Sequence, residues 1–204
     1  FNVFSANPPI AIFSPARRTR NNTTKHTLEN ASTTKEVVIN VVSYDIVEQT
    51  SLSSGEYEEG VNEFVKAGFP PVKSDVVKPF RVKESPVQLE CVVKDIISLG
   101  EEGGAGNLVI CEIVKMHISE SVLNPNQQID PHKIDLVGRM GANWYCRASG
   151  ESIFEVKKPG SKIGIGYDQL PARIRSSFIL SGNDLAKLAN IEALPSVEDV
   201  DKFK

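Results

Sequence analysis

VQLECVVKDIISLG, residues 87–100, places apolar side chains at every second position: Val87, Leu89, Cys91, Val93, Ile97 and Leu99, broken only by Asp95. That is the period of a half-buried strand. After GEEGGAG comes NLVICEIVKMHISESVL, residues 107–123, where Leu108, Ile110, Val114, Met116 and Ile118 keep the same period. Val109, Cys111 and Ile113 make the first half of this second run apolar on both sides. Two long strands around a glycine-rich loop predict a β-hairpin. Pairing symmetric about Gly103 sets Cys111 opposite Asp95 and leaves Cys91 and Cys111 four residues out of register, roughly 13 Å apart at strand rise. A disulfide between them is therefore not expected.

Further strands are expected at 8–14, 36–43, 80–85, 142–148 and 152–158. Short helices are expected from Thr27, a residue type suited to N-capping, and over 44–52 and 62–66, with a single helical turn over 132–137. Six or seven strands with few helices give a mainly β fold, a barrel or sandwich with helical insertions. The pattern changes after Pro159. GSKIGIGYDQLP is a glycine-rich connection, SGNDLAKLANIEAL a small helix, and PSVEDVDKFK a polar tail. Residues 1–158 are thus the expected barrel and 159–204 a C-terminal arm packed on it or on a partner subunit.

The totals exclude several classes. A chain of 204 residues, 40% hydrophobic and 24% charged, can bury a core without metal or disulfide help. No apolar run approaches the ~20 residues of a membrane span. Three cysteines without a CxxC pair argue against a zinc site or disulfide scaffold and point to a reducing, cytoplasmic setting. The three histidines, His26, His117 and His132, have no metal-ligand spacing. The chain opens on Phe1 rather than methionine, which leaves room for a preceding segment and a targeting peptide.

No phosphate-binding GxxxxGK[ST] loop and no Gly-x-Ser-x-Gly elbow is present. Gly164-Ile-Gly166 begins like a dinucleotide fingerprint, but Gln169 stands where its third glycine belongs. GEEGGAG reads as a flexible hairpin loop. One segment stands out against the net charge of −3. Phe13 to Thr27, FSPARRTRNNTTKHT, carries four Lys/Arg, five hydroxyls and no acid. Nucleic acid is disfavoured by 7% aromatics and by the lack of a second basic stripe. A compact phosphate suits the run better, because Thr23 to Thr27 leads into a helix whose first N–H groups favour an anion. A merely solvated loop is the competing reading.

These residues resemble the flavin reductase-like, FMN-binding split-barrel family. The family pattern is a strand ending in Phe-Ser, a basic loop, Lys-Asp-Thr, a short helix and a Glu-Phe-Val-x-Asn strand. Here these are Phe13-Ser14, Arg17 to Arg20, Lys25-His26-Thr27 and Glu36 to Asn40. NEFVKAGF, KESPVQLEC, RMGANWY and the tail GYDQLPARIRSSFILSGNDLAKLA also resemble family stretches. The chain departs at His26, where the family has Asp, and at Ala142, where it has Gly. An Asn-Leu-(Ser/Ala)-Pro stretch that precedes FNVFS in the family lies outside this sequence.

The resemblance implies a homodimeric split β-barrel holding FMN near the subunit interface. Lys25 and Thr27 would hold its phosphate, with Ser14, Arg17 and Arg20 nearby. Asn2 and Ser5 match the segment lying against the isoalloxazine side. Arg139 and Tyr145 are looser candidates for flavin or nicotinamide contact, from the same or the other subunit, and Trp144 is expected in the barrel or dimer interface. The implied activity is an NAD(P)H-dependent flavin reductase that passes reduced flavin to a monooxygenase, ferric iron or another acceptor. No residue acts as catalytic acid or base and no metal is involved, since such a cofactor carries the hard chemistry itself. Rival readings are an electron-carrying or sensor flavoprotein without NAD(P)H turnover, and a basic-loop binding module without flavin.

Overall fold

A computed structural model describes residues 1–160 and 163–202. The chain divides into two units, Phe1–Ile153 and Phe154–Lys204. The first holds β1 (Asn2–Ala6), β2 (Pro9–Phe13), α1 (His26–Thr34), β3 (Glu36–Asn40), α2 (Val47–Ser53) and α3 (Glu63–Ala67). Then follow β4 (Pro71–Val72), β5 (Arg81–Val82), β6 (Val87–Ser98), β7 (Asn107–Ile118), β8 (Val137–Gly141) and β9 (Trp144–Arg147). Its centre is an open antiparallel sheet in the order β1-β2-β7-β6-β3, with β4-β5 and β8-β9 as separate ribbons. The expectation of a mainly β fold with short helical insertions holds.

The long hairpin β6–β7 forms, but two bulges change its register. Cys91 faces Ile113, leaving Val114 without an opposite residue; Val93 faces Cys111 and Asp95 faces Ile110, leaving Lys94 without one. Cys111 therefore lies opposite Val93, not Asp95. Because side chains alternate, one extra residue flips the face of everything beyond it. Val87, Leu89, Cys91 and Val93 enter the core as the alternation predicts, but past Lys94 it is Ile96 that packs there, and Ile97 is 43% exposed. On β7 the core takes Val109, Cys111 and Ile113, while Val114 and Met116 are exposed. All three cysteines are free.

β6 is buried on both faces. Its odd side chains meet Ala11, Ile39, Val109, Cys111 and the α1 residues Leu28 and Ala31. Its even side chains Gln88 and Glu90 are also buried, under the segment 73–85. Buried polar groups must be hydrogen-bonded, and these are. Glu90 accepts from the backbone N–H of Asp75 (2.9 Å), Val76 (2.7 Å) and Val77 (3.1 Å) and lies 2.6 Å from His117 Nε2. Glu36 accepts from Lys78 N–H at 2.8 Å, and Asn40 from Val82 N–H at 2.9 Å. Gln88 donates to the Val82 and Ser85 carbonyls at 3.0 and 2.8 Å. The segment 73–85 is thus strapped across one face of β3 and β6.

Elsewhere the local expectations divide. α1 starts at His26, with Lys25 rather than Thr27 at the N-cap position. α3 is capped by Asn62, whose side chain accepts from Phe64 N–H at 3.0 Å. It ends at Gly68, whose φ of 71° is the left-handed conformation glycine adopts freely. Residues 132–137 form a turn leading into β8. The expected strand at 152–158 is absent: Gly150–Ser152 form a 3-10 turn and the residues after it find no partner strand. In the second unit α4 (Ala172–Arg175) is followed by α5 (Gly182–Ala189), which opens on a Ser181/Asp184 capping box and buries Leu185 and Ala189 with Leu170. The polar tail instead contains α6 (Val197–Asp201), opened by a Ser196/Asp199 box. Ser161 and Lys162 of the glycine-rich connection, and Phe203 and Lys204, lie outside the described residues.

Candidate functional site

The basic loop after β2 is held in shape by its own polar groups. Arg17 donates from Nε to Asn22 Oδ1 at 2.7 Å and from its guanidinium to the Asn22 carbonyl at 2.6 Å. Arg18 N–H donates to the Thr23 carbonyl at 2.8 Å, and Arg18 also donates from its side chain to Thr23 Oγ1 (3.1 Å) and the Thr24 carbonyl. The β6–β7 connection packs against this loop. Arg17 N–H donates to Ala105 O at 2.9 Å and Gly104 N–H to Arg17 O at 3.0 Å. A Cβ on Gly103 would stand 3.0 Å from both Cα and O of Thr19. GEEGGAG is therefore not a free hairpin loop: its glycine permits a close backbone approach that buttresses the basic loop.

The loop ends at a cleft of about 180 Å³ lined by Lys25, His26 and Thr27 at the start of α1, by Arg18, by residues 53–57 and by Glu63. No side chain caps α1. Its first N–H groups thus open beside Lys25 and Thr27, with the positive end of the helix dipole behind them. Arg18, its side chain 16% exposed, is steered by Glu56 at 3.6 Å. The carboxylate of Glu56 also meets Arg20 at 3.5 Å. A second cavity of about 320 Å³ adjoins the cleft, with Ser53 and Glu63 in both linings. It is mostly apolar, walled by Val38 and Asn40 of β3, Phe64 and Phe69, and Phe80 and Val82 of the strap.

The expected site residues separate into groups. Lys25 and Thr27 come together in the cleft. Arg17 turns inward on Asn22 and shapes the loop, while Arg20 is 84% exposed and pairs with Glu56. Ser14 is exposed at the end of β2, where a Cβ on Gly106 would come within 2.6 Å of its Oγ. Asn2 and Ser5 lie on the edge strand β1 opposite Ile12 and Ile10, outside the cleft lining. Arg139 and Tyr145 face each other across β8–β9, the guanidinium 5.8 Å from the ring centre, also outside it. Sequence reasoning did not single out Ser53, Ser54 and Tyr57, because the end of α2 carries no motif and meets α1 only in the folded chain.

Asp75, Glu90 and His117 place one ligating atom each within 4.8 Å of the others. Lys115, 2.5 Å from Asp75, and Arg81, 3.8 Å from it, already supply the compensating positive charge, so the cluster is an ion-pair network. Arg81 Nε, 3.9 Å from Glu90, has no hydrogen-bond partner among the described residues. Burial acts to raise the Glu90 pKa. The N–H groups of Asp75, Val76 and Val77 and the His117 ring outweigh it and bring the value down to about 2.

Comparison with known proteins follows the same residues. Residues 1–132 match the flavin reductase like domain. An uncharacterized protein of Aquifex aeolicus is 32% identical over 156 residues, covering 76% of this chain and 77% of that protein. Among solved structures, nitrilotriacetate monooxygenase component B from Bacillus cereus superposes with a TM-score of 0.69 at 27% identity, over 76% of this chain and 75% of that one. A putative flavin reductase with split barrel domain from Shewanella frigidimarina gives 0.64 at 27% identity, over 77% and 74%. The open sheet is that of a split barrel.

Proposed function

The chain belongs to the flavin reductase like family, and on that premise we propose that it binds FMN and catalyses its reduction by NAD(P)H. The observation that carries this reading is the cleft at the open start of α1. Lys25 would place a point charge on the flavin phosphate, Thr27 a hydroxyl donor, and α1 its first N–H groups. Arg18, oriented by Glu56 and Thr23, would close the far side. The volume of about 180 Å³ suits a phosphate and part of its ribityl chain. His26, where the family has Asp, adds a hydrogen-bonding ring to the same lining.

When bound, the flavin supplies two-electron chemistry, taking hydride from a reduced nicotinamide and passing electrons to an acceptor. This chain's residues bind and orient. Ser14 and Arg20 stand at the margin of the phosphate site, and Arg17 keeps the loop in the shape that presents Lys25. Asn2 and Ser5 face the isoalloxazine side. Arg139 and Tyr145, apart from the cleft of their own chain, reach the flavin or nicotinamide of a partner subunit. A homodimer is supported by the exposed apolar side chains of Val114 and Met116 on β7 and of Trp144, which is 76% exposed. Among the described residues no helix is long and apolar enough to cross a membrane. Free thiols support a cytoplasmic setting. The likeness to a monooxygenase component supports a monooxygenase as recipient of the reduced flavin.

Titration with FMN, followed by flavin fluorescence, tests the assignment. Charge-assisted hydrogen bonds contribute ~1.5–3 kcal/mol each, so Lys25→Ala with Thr27→Ala should weaken FMN binding at least ten-fold. Unchanged affinity in the double variant would remove the phosphate from this cleft.

A further inference from the structure

Two features of the molecule lack a counterpart within their own unit. The first is the cavity of about 320 Å³ between α2, α3 and the strap, walled by Phe64 and Phe69 and open at the exposed Phe80. Protein interiors pack with few voids larger than a water molecule, so a gap of this size has room for an occupant. The loop from α2 to α3 borders it: from Gly55 to Glu63 it carries four glutamates and no Lys or Arg. Glu56 is taken by Arg18 and Arg20, whereas Glu58, Glu59 and Glu63 have no side-chain partner among the described residues. The opposite rim, on the strap, carries the exposed Lys78 just before the lining residues Pro79 and Phe80.

The second feature is the turn after α4. Ser177 Oγ accepts from the N–H of Ile179 at 3.2 Å and of Leu180 at 3.3 Å, and Leu180 packs inward against Leu170 and Leu185. The turn so fixed leaves Phe178 and Ile179 fully exposed. Just ahead of them, Arg173 and Arg175 are exposed and have no ion-pair partner among the described residues. Two large apolar side chains held out beside two unpaired cations have the make-up of an interface anchor.

We infer that these features are the two halves of one interface: Phe178 and Ile179 of a second copy seat in the apolar cavity, with its Arg173 and Arg175 over Glu58, Glu59 and Glu63. Shape and charge argue for this occupant together. An aromatic anchor fills an aromatic-walled cavity without stranding a polar group, and the guanidinium groups meet carboxylates that lack a partner. Lys78 repels them from the other rim, which sets the direction in which the segment lies. Each copy owns both halves, so reciprocal seating closes a two-fold dimer with neither half left over. The contact is separate from the exposed side chains of β7 and Trp144 and does not rest on the flavin reading. It brings a second copy's side chains beside Ser53 and Glu63, which the cavity shares with the phosphate cleft.

The test mixes isotopically heavy and light copies of the whole chain, each with photoreactive benzoylphenylalanine in place of Phe178. Cross-links are mapped by mass spectrometry, with and without FMN. Heavy-to-light cross-links to cavity residues such as Phe64 and Phe80 are expected in both conditions. Cross-links found only within one copy, or only outside the cavity, overturn the inference. Their disappearance on adding FMN also overturns it, by giving the cavity to the flavin ring. Charge reversal tests the pairing in the same assay. Arg173→Glu with Arg175→Glu should cut the heavy-to-light yield about ten-fold, and adding Glu58→Arg with Glu59→Arg should restore it. All four side chains are exposed, so the melting temperature should stay unchanged. No fall in yield, or a fall that the second pair does not restore, contradicts the interface.

Discussion

The carboxylate of Glu90, wholly buried in β6, accepts a hydrogen bond from the backbone N–H of Val76 at 2.7 Å. That bond and its neighbours at Asp75 and Val77 fix the strap 73–85, and the strap supplies Phe80 and Val82 to the wall of the apolar cavity. A charged side chain in the sheet therefore sets the shape of a cavity wall some residues away.

Glu90→Ala would leave three N–H groups and His117 without their shared acceptor and remove a negative charge 3.9 Å from Arg81. Loss of one partner of a buried ionic network costs about 3–5 kcal/mol, to be read from the urea midpoint. The pH dependence has a definite sign. A carboxyl whose pKa is lowered from 4.5 to about 2 on folding stabilises the fold above pH 4.5, and this stabilisation is lost as pH falls towards 2. Wild type should lose stability steeply across that window, and Glu90→Gln should show a shallower slope. Equal slopes would contradict the role given to Glu90.

Thiol reactivity should separate the cysteines. Burial pushes the Cys91 thiol up to about 12, with Cys111 and Glu90 adding to it, and pushes Cys111 up to about 11. Thiolate is the reactive form, so both should resist iodoacetamide in the native state. Cys146 on β9 is exposed and should react first. Mass spectrometry of the native, labelled chain should show one modified cysteine, and three only after denaturation.

Gly103→Val should damage the basic loop from outside it. Its Cβ would meet the Thr19 backbone at 3.0 Å and Arg18 O at 3.2 Å, contacts that backbone atoms cannot easily relieve. Overpacking of this kind costs about 1–3 kcal/mol. Because Arg18 lines the phosphate cleft, FMN affinity should fall together with the melting temperature. An unaltered melting temperature and affinity would show that the loop does not depend on this buttress.

The main hairpin and the helix after Lys25 left marks in composition and periodicity. The bulges at Lys94 and Val114 did not, since an inserted residue changes the buried face without changing the apolar content of the run. β8 escaped notice because its Gly138, Arg139 and Gly141 carry no strand pattern, and it is held instead by pairing with β9. Residues 152–158 show the reverse: an apolar stretch of strand-forming residues without a partner strand makes no strand. That Lys25 and Thr27 lie together was legible because a loop entering a helix is a local feature. Ser53 to Tyr57 and Glu63 were not, because they meet that helix through tertiary folding alone. Glu90 stands at an even position of the alternation, where a polar residue draws no notice, and its role depends on a segment laid over it from residues 75–77.

The most direct measurement is an anaerobic titration of the FMN-loaded protein with NADH and with NADPH, following the flavin absorbance. The account predicts that at least one nucleotide bleaches the bound flavin stoichiometrically, and that admitting an acceptor restores the colour. A protein that takes up FMN yet stays coloured with both nucleotides would contradict the reductase reading and leave an electron carrier.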